Sequence, residues 1–316
     1  MNNRRGLGLL ACGAVRPRLL ACGAVRPRLL ACVAIAFSTA YADTITRSLL
    51  TTGKGHASAV TSVAFSPDGA YVLTGAEHNG YGDNTAKLWN ANTGAYIRTF
   101  AGHTQGQGVK SVAFSPDGAS VLTGCSDGTA KLWNAATGAE IRTFSGHTSI
   151  IFSVAFSPDV ASVLTCSDDT TAKLWDIATG AILRTFTGYG PVYSGAFSPD
   201  GASVLTGHYQ TVKLWNAATG AEIRTFTGHP NNSVGSVAFS PDGAFVLTGS
   251  GDKTAKLWDT ATGAEIRTFT GHAEPVRSVA FSPDGASVLT GSTDLTAKLW
   301  DAATGAEIRT FSGHTG

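Results

Sequence analysis

The 316-residue chain contains one methionine, five cysteines and little charge, with only 14% of its residues Asp, Glu, Lys or Arg. So few sulfur-bearing side chains provide neither a methionine-lined groove nor the disulfide framework of a small secreted domain. Twenty-three bases against 22 acids give a net charge of +1. That balance removes the usual electrostatic argument for nucleic acid as a partner. No window carries a helical 3.6-residue period long enough to compete with strands. What the chain does have is 43% hydrophobic residues and 38 glycines. The first excludes disorder, and glycine without a strict three-residue period excludes collagen.

Acid is missing altogether before Asp43, where the bases are Arg4, Arg5, Arg16, Arg18, Arg26 and Arg28. Setting those six aside leaves 17 bases against 22 acids over residues 43–316, a net charge of −5. Leu29–Phe37 reads LLACVAIAF, with arginines before it and Ala40 and Ala42 after it. Basic flank, short apolar run and small residues at a cleavage point make residues 1–42 an expected export signal. The run is too short to span a bilayer as a helix. LLACGAVRPR occurs twice, from Leu9 and from Leu19, a tandem duplication with no evident structural purpose. LLAC resembles a lipoprotein box, but Cys32 has no apolar run before it, so a lipid anchor is not expected. The expected location is periplasmic or secreted.

Residues 43–316 are one unit written six times. F-S-P-D begins at Phe65, Phe114, Phe156, Phe197, Phe239 and Phe281. All six tryptophans fall in K-L-W, and Gly-His pairs recur with the same period, Gly188-Tyr189 filling one slot. Such a period calls for a repeat architecture. In the second unit, strands are expected over Val109–Phe114, 119–124, 129–134 and 139–144. Pro-Asp-Gly and Asp-Gly between apolar, β-branched runs are hairpin chemistry. The chain is all β.

The order G-H, S-V-A-F-S-P-D-G and S-x-D-x-T-A-K-L-W-D resembles the WD-repeat family over about residues 45–316. The resemblance implies a β-propeller of four-stranded antiparallel blades around a channel. It also implies a hydrogen-bonded tetrad in each regular unit. The matching positions are His103, Thr123, Asp127 and Trp133; His147, Thr165, Asp169 and Trp175; His229, Thr248, Asp252 and Trp258; and His272, Thr290, Asp294 and Trp300. His, acid and hydroxyl together could suggest a hydrolase triad, but an active site needs one constellation and not a copy per unit. A repeated satisfied network is a stability device. Unit one keeps His56, Thr74, Asp83 and Trp89 around a longer hairpin. Unit four has Tyr189 for His and no Asp before Trp215, so its tetrad reads as broken and its blade as the least stable.

Other chemistry is sparse, and neither a metal nor a cofactor is expected. Gly53-Lys54 lacks the rest of a phosphate-binding loop, and Asp168-Asp169 lacks calcium-loop spacing. Cys125 and Cys166 read as buried small residues, with a bridge between them left open. Function is therefore expected where the units differ. Before each S-V-A-F-type strand the residue is Thr61, Lys110, Phe152, Tyr193, Gly235 or Arg277. Lys110, Phe152, Tyr193 and Arg277, around one channel mouth, have the composition of a protein-binding hot spot. The family resemblance points the same way, to a non-catalytic scaffold for a protein or peptide. A channel-binding secreted enzyme and a remnant of a longer WD-repeat protein are the alternatives. Six complete units predict either a six-bladed ring, imperfectly closed, or a truncated seven-bladed one.

Overall fold

The computed structural model describes residues 55–77 and 83–314. The expected export signal, the strand-like stretch 45–52 and the inserted part of the first hairpin lie outside the described residues. Within them there are 24 strands in six antiparallel sheets of four. Strands β1–β4 lie within 60–100, β5–β8 within 109–145, β9–β12 within 151–187, β13–β16 within 194–227, β17–β20 within 234–269 and β21–β24 within 276–311. Each sheet is one blade of a six-bladed propeller.

Period-two patterning builds each blade. In β7 (Thr129–Asn134), Ala130 and Leu132 face one side and Lys131 and Trp133 the other. Val121 of β6 (Ser120–Cys125) pairs with Trp133, and Leu122 pairs with Leu132. A blade thus has two apolar faces. The leading face, toward the previous blade, carries Val109, Val112, Phe114, Val121 and Trp133. The trailing face carries Leu122, Ala130, Leu132 and Phe144. Leading against trailing gives a buried core at each of five successive junctions. The first strands meet one another from blade to blade, so they line the axis. In every blade the register shifts beside the tryptophan where the outermost strand pairs, at Leu132/Trp133 in blade two. Such a shift twists the outer edge away from the flat ladder.

The tight turn after each first strand follows from Ser-Pro-Asp-Gly. Ser198 donates its hydroxyl to Asp200 at 2.6 Å, the Gly201 amide returns to the Ser198 carbonyl, and Gly201 takes φ 73°. Blade three has Val160 at that position and holds it at φ 59°.

Candidate functional site

The expected tetrads form. His103, in the segment after β8's counterpart β4 (Tyr96–Phe100), reaches forward into blade two. Its Nε2 lies 2.7 Å from Thr123 Oγ1, and Trp133 Nε1 donates to the same oxygen at 3.0 Å. Its Nδ1 lies 3.2 Å from Asp127, against 2.7 Å for His147–Asp169 and His229–Asp252, and 2.8 Å for His272–Asp294. Blade one has the same network in His56, Thr74, Asp83 and Trp89. One proton arrangement satisfies all members: Trp N–H to Thr, Thr O–H to Nε2, Nδ1–H to Asp. Burial alone would raise the Asp83 pKa, but hydrogen bonds from His56, Thr85 and the Ala57 amide bring it down to about 2. Asp127 and Asp294 are lowered in the same way. These groups are mutually satisfied and buried, which is the condition of a packing network and not of a reacting site.

Blade four lacks the tetrad acid, as expected, but a histidine the sequence reading had not counted keeps the rest of the network. Trp215 still donates to Thr206 at 2.7 Å, and His208 Nε2 lies 2.8 Å from the Thr206 hydroxyl. His208 comes from the adjacent hairpin and is fully buried. A Cβ added at Gly188 would stand 2.1 Å from its ring, so His208 occupies the space a Gly-His histidine would use. The released position, Tyr189, is 80% exposed. The difference from the regular blades is the acid: His208 Nδ1 has no hydrogen-bond partner among the described residues. Burial first, then the nearby Lys213 charge, holds its pKa down at about 4.

The four residues expected at the channel mouth start four different first strands. Phe152 of β9 (Ile151–Phe156) and Tyr193, just before β13 (Ser194–Phe197), stack across the blade junction with centroids 5.6 Å apart and planes at 28°. Lys110 of β5 (Val109–Phe114) instead pairs with Glu77 of blade one. Arg277 of β21 (Val276–Phe281) is exposed on blade six and is not drawn into the stack. The structure therefore joins two of the four. Sequence reasoning missed two exposed tyrosines of blade four. Tyr189 leads into Tyr193 through one short loop, and Tyr209, 38% exposed, donates its hydroxyl to the Asn231 carbonyl at 3.2 Å. The signal was present, since Tyr189 departs from the Gly-His pattern, but it was read as a lost tetrad only.

Cys125 and Cys166 are both free and buried, which closes the question of a bridge. Burial pushes the Cys125 thiol up to about 12, and that of Cys166 up as well. His103, Cys125 and Asp127 bring metal-type donor atoms within 4.8 Å of one another. Two of the three are already tetrad partners, and a thiol held so far from ionisation is a poor ligand.

Among the described residues no helix is long and apolar enough to cross a membrane. No curated protein matches the chain in sequence. The WD domain, G-beta repeat pattern matches residues 47–90, 94–134, 138–176, 180–216, 220–259 and 263–301. Those six segments, each offset by one strand from a blade, take in most of its length: the chain belongs to the WD40 family.

Proposed function

We propose that this propeller is a non-catalytic scaffold that holds a protein or peptide partner over the face where the first strands begin. The observation that carries the reading is the Phe152–Tyr193 stack, a two-ring platform at the start of adjacent first strands. Aromatic anchors of this kind carry a large share of interface energy. Tyr189 and Tyr209 are further exposed rings of blade four. Arg277 adds an exposed cation at the start of its own first strand, where charge steers encounter more than it sets affinity, while Lys110 is already paired with Glu77. The tetrads give the rigid frame on which such a surface keeps its shape. We further propose that the chain is exported, on the strength of its first 42 residues.

The test is affinity capture with the full chain, wild type beside the alanine quadruple at Lys110, Phe152, Tyr193 and Arg277. A partner retained by wild type and lost from a folded quadruple supports the scaffold reading. Equal retention by both overturns it. Mass measurement of the chain recovered from the cell envelope reads the export proposal directly, since loss of residues 1–42 is the expected outcome.

A further inference from the structure

The outermost strand of each blade is an edge strand, and in four blades it carries the same device. In β8 (Glu140–Ser145), Glu140 accepts Lys131 on one carboxylate oxygen at 2.9 Å and the Thr143 hydroxyl on the other at 2.6 Å. Glu222 is held in the same way by Lys213 and Thr225, Glu265 by Lys256 and Thr268, and Glu307 by Lys298 and Thr310. Lysine and threonine come from directly paired positions, Lys131 opposite Thr143, so two neighbouring strands build one carboxylate clamp. Blade one puts a phenol there, the Tyr96 hydroxyl lying 2.9 Å from Thr99 Oγ1.

Blade three has the clamp without an acid of its own. Lys173 of β11 (Thr171–Asp176) still pairs across the ladder with Thr185 of β12 (Ile182–Thr187), but Ile182 stands where the other outer strands have Glu or Tyr. The half-buried Lys173 ammonium and the Thr185 hydroxyl have no hydrogen-bond or ion-pair partner among the described residues. The strand is also more open than β8, β16 (Glu222–Thr227) and β20 (Glu265–Phe269). Arg142–Thr143, Arg224–Thr225 and Arg267–Thr268 are half-buried, whereas Arg184 and Thr185 are exposed, as are Ile182 and Leu183. Charge on an edge strand is one of the ways proteins discourage a further strand from pairing there. The only charge left on β12 is Arg184, which is turned to the Ala218 carbonyl of the next blade.

We propose that the free edge of β12 takes up an extended, acidic segment of a partner protein as a fifth strand, with a carboxylate seated between Lys173 and Thr185. Charge names the occupant. A second copy of β12 reads I-L-R-T-F-T and brings a cation and no acid. The glutamates of the other outer strands are already bonded to their own lysines. The residues outside the described ones contain a single acid, Asp43. In strand addition the backbone ladder supplies affinity, and side-chain sites set which segment binds and in what register. A surface ion pair is worth about 0.2–1 kcal/mol, so the carboxylate selects the partner more than it holds it. β12 and the strand that carries Phe152 are opposite edges of one sheet, so this surface is separate from the Phe152–Tyr193 platform and the two proposals fail independently.

The probe is a fluorescein-labelled hexapeptide alternating valine and glutamate, titrated against the full chain and read by anisotropy. Saturable one-to-one binding is expected. Ile182→Glu gives blade three the acid that four other blades carry. It is expected to weaken binding about tenfold, through an occupied clamp and a like charge beside the peptide. Lys173→Gln, or glutamine for glutamate in the peptide, should weaken it about threefold. Exchange of the β12 amides should slow on binding, while that of β8 and β16 does not. No binding, or binding indifferent to both Ile182→Glu and Lys173→Gln, overturns the proposal. Loss of binding with alanine at Phe152 and Tyr193 would put the peptide on the channel mouth and overturn it as well. Binding that strengthens with Asp43→Asn would put the chain's own leading segment on this edge, which also overturns a separate partner.

Discussion

Blades four and five solve the same packing problem with different histidines. In blade five, His229 arrives from the preceding loop and lies between Thr248 and Asp252 at 2.7 Å each. In blade four, His208 arrives from the blade's own hairpin, bonds Thr206 at 2.8 Å and finds no acid. Both tryptophans keep their hydroxyl acceptor, and both are at most 6% exposed. The Trp–Thr–His core of the network is therefore what the fold requires, and the acid is the part that can be given up. What blade four gains is freedom at position 189, which becomes an exposed tyrosine four residues before Tyr193.

The largest effect should come from breaking the intact network. His229→Ala leaves Asp252 and Thr248 buried without their partner, and the cost is expected at about 3–5 kcal/mol. His208→Ala removes a neutral hydrogen bond and some packing, with an expected cost of about 1–3 kcal/mol. Denaturant unfolding of both variants, read against wild type, checks the order. A larger loss from His208→Ala would mean that the unpaired ring bears more of blade four than its geometry shows.

The swap can also be run backwards. Tyr189→His alone has nowhere to place its ring, because His208 fills the space beside Gly188. His208→Ser alone empties that space, and serine is the residue blades three, five and six use there, at Ser167, Ser250 and Ser292. The two changes together should recover at least about 1 kcal/mol over the sum of the singles. A double-mutant cycle measures the coupling, and additivity would show that the two histidine positions do not share one site.

This exchange also marks the limit of what the sequence made legible. The repeat period, the all-β class and the regular tetrads were readable because each rests on local pattern. Expected strands Val109–Phe114 and 129–134 appear unshifted, while 119–124 and 139–144 are each displaced by one residue. The tetrad spacing transfers because a two-residue alternation fixes which side chains share a face. Three features depended instead on which elements meet. His208 takes over from a residue 19 positions earlier only because the hairpin folds back on the loop. Phe152 and Tyr193 are 41 positions apart and stack only across a junction. Phe311 is 44% exposed where its five counterparts are buried, a difference that the same T-G-A-E-I-R-T-F sequence in several blades does not carry.

Acid should separate the two kinds of blade in pH as well as in energy. Buried His208, with its pKa lowered from 6.5 to about 4, binds protons less well folded than unfolded. Its contribution is whole above about 6.5 and is lost as pH falls from there to about 4. His147, lowered mainly by burial against its Asp169 bond, shifts in the same direction. Asp83, lowered from 3.8 to about 2, contributes above 3.8 and loses that contribution as pH falls toward 2. Amide protection in blade four, corrected for the intrinsic exchange rate, should therefore fall between pH 6.5 and 4, with blade three following in the same direction through His147, while the Asp83 contribution in blade one holds until lower pH. Simultaneous loss in both blades would remove the distinction.

The smallest effect is expected on the opposite side of the blades, where blade three alone departs from Ser-Pro-Asp-Gly. Its Val160 sits at φ 59°, while the glycines of the other five turns sit at 70–74° with no side chain to strain. A β-branched residue in the left-handed region crowds its own carbonyl, at a cost of about 1–2 kcal/mol. Glycine relieves that strain but adds freedom to the unfolded chain, which takes back about 0.4–1 kcal/mol. Val160 also packs on the core between blades two and three, so the gain is reduced further by lost apolar burial. The net change for Val160→Gly should then lie within about 1 kcal/mol of zero. The mirror change Gly201→Val in blade four adds strain, with its new Cβ 3.4 Å from Pro158, and should cost about 1–2 kcal/mol. If thermal melts show the two changes to be equal and opposite, backbone strain alone governs this turn. If only Gly201→Val moves Tm, the packing of Val160 offsets the strain it carries.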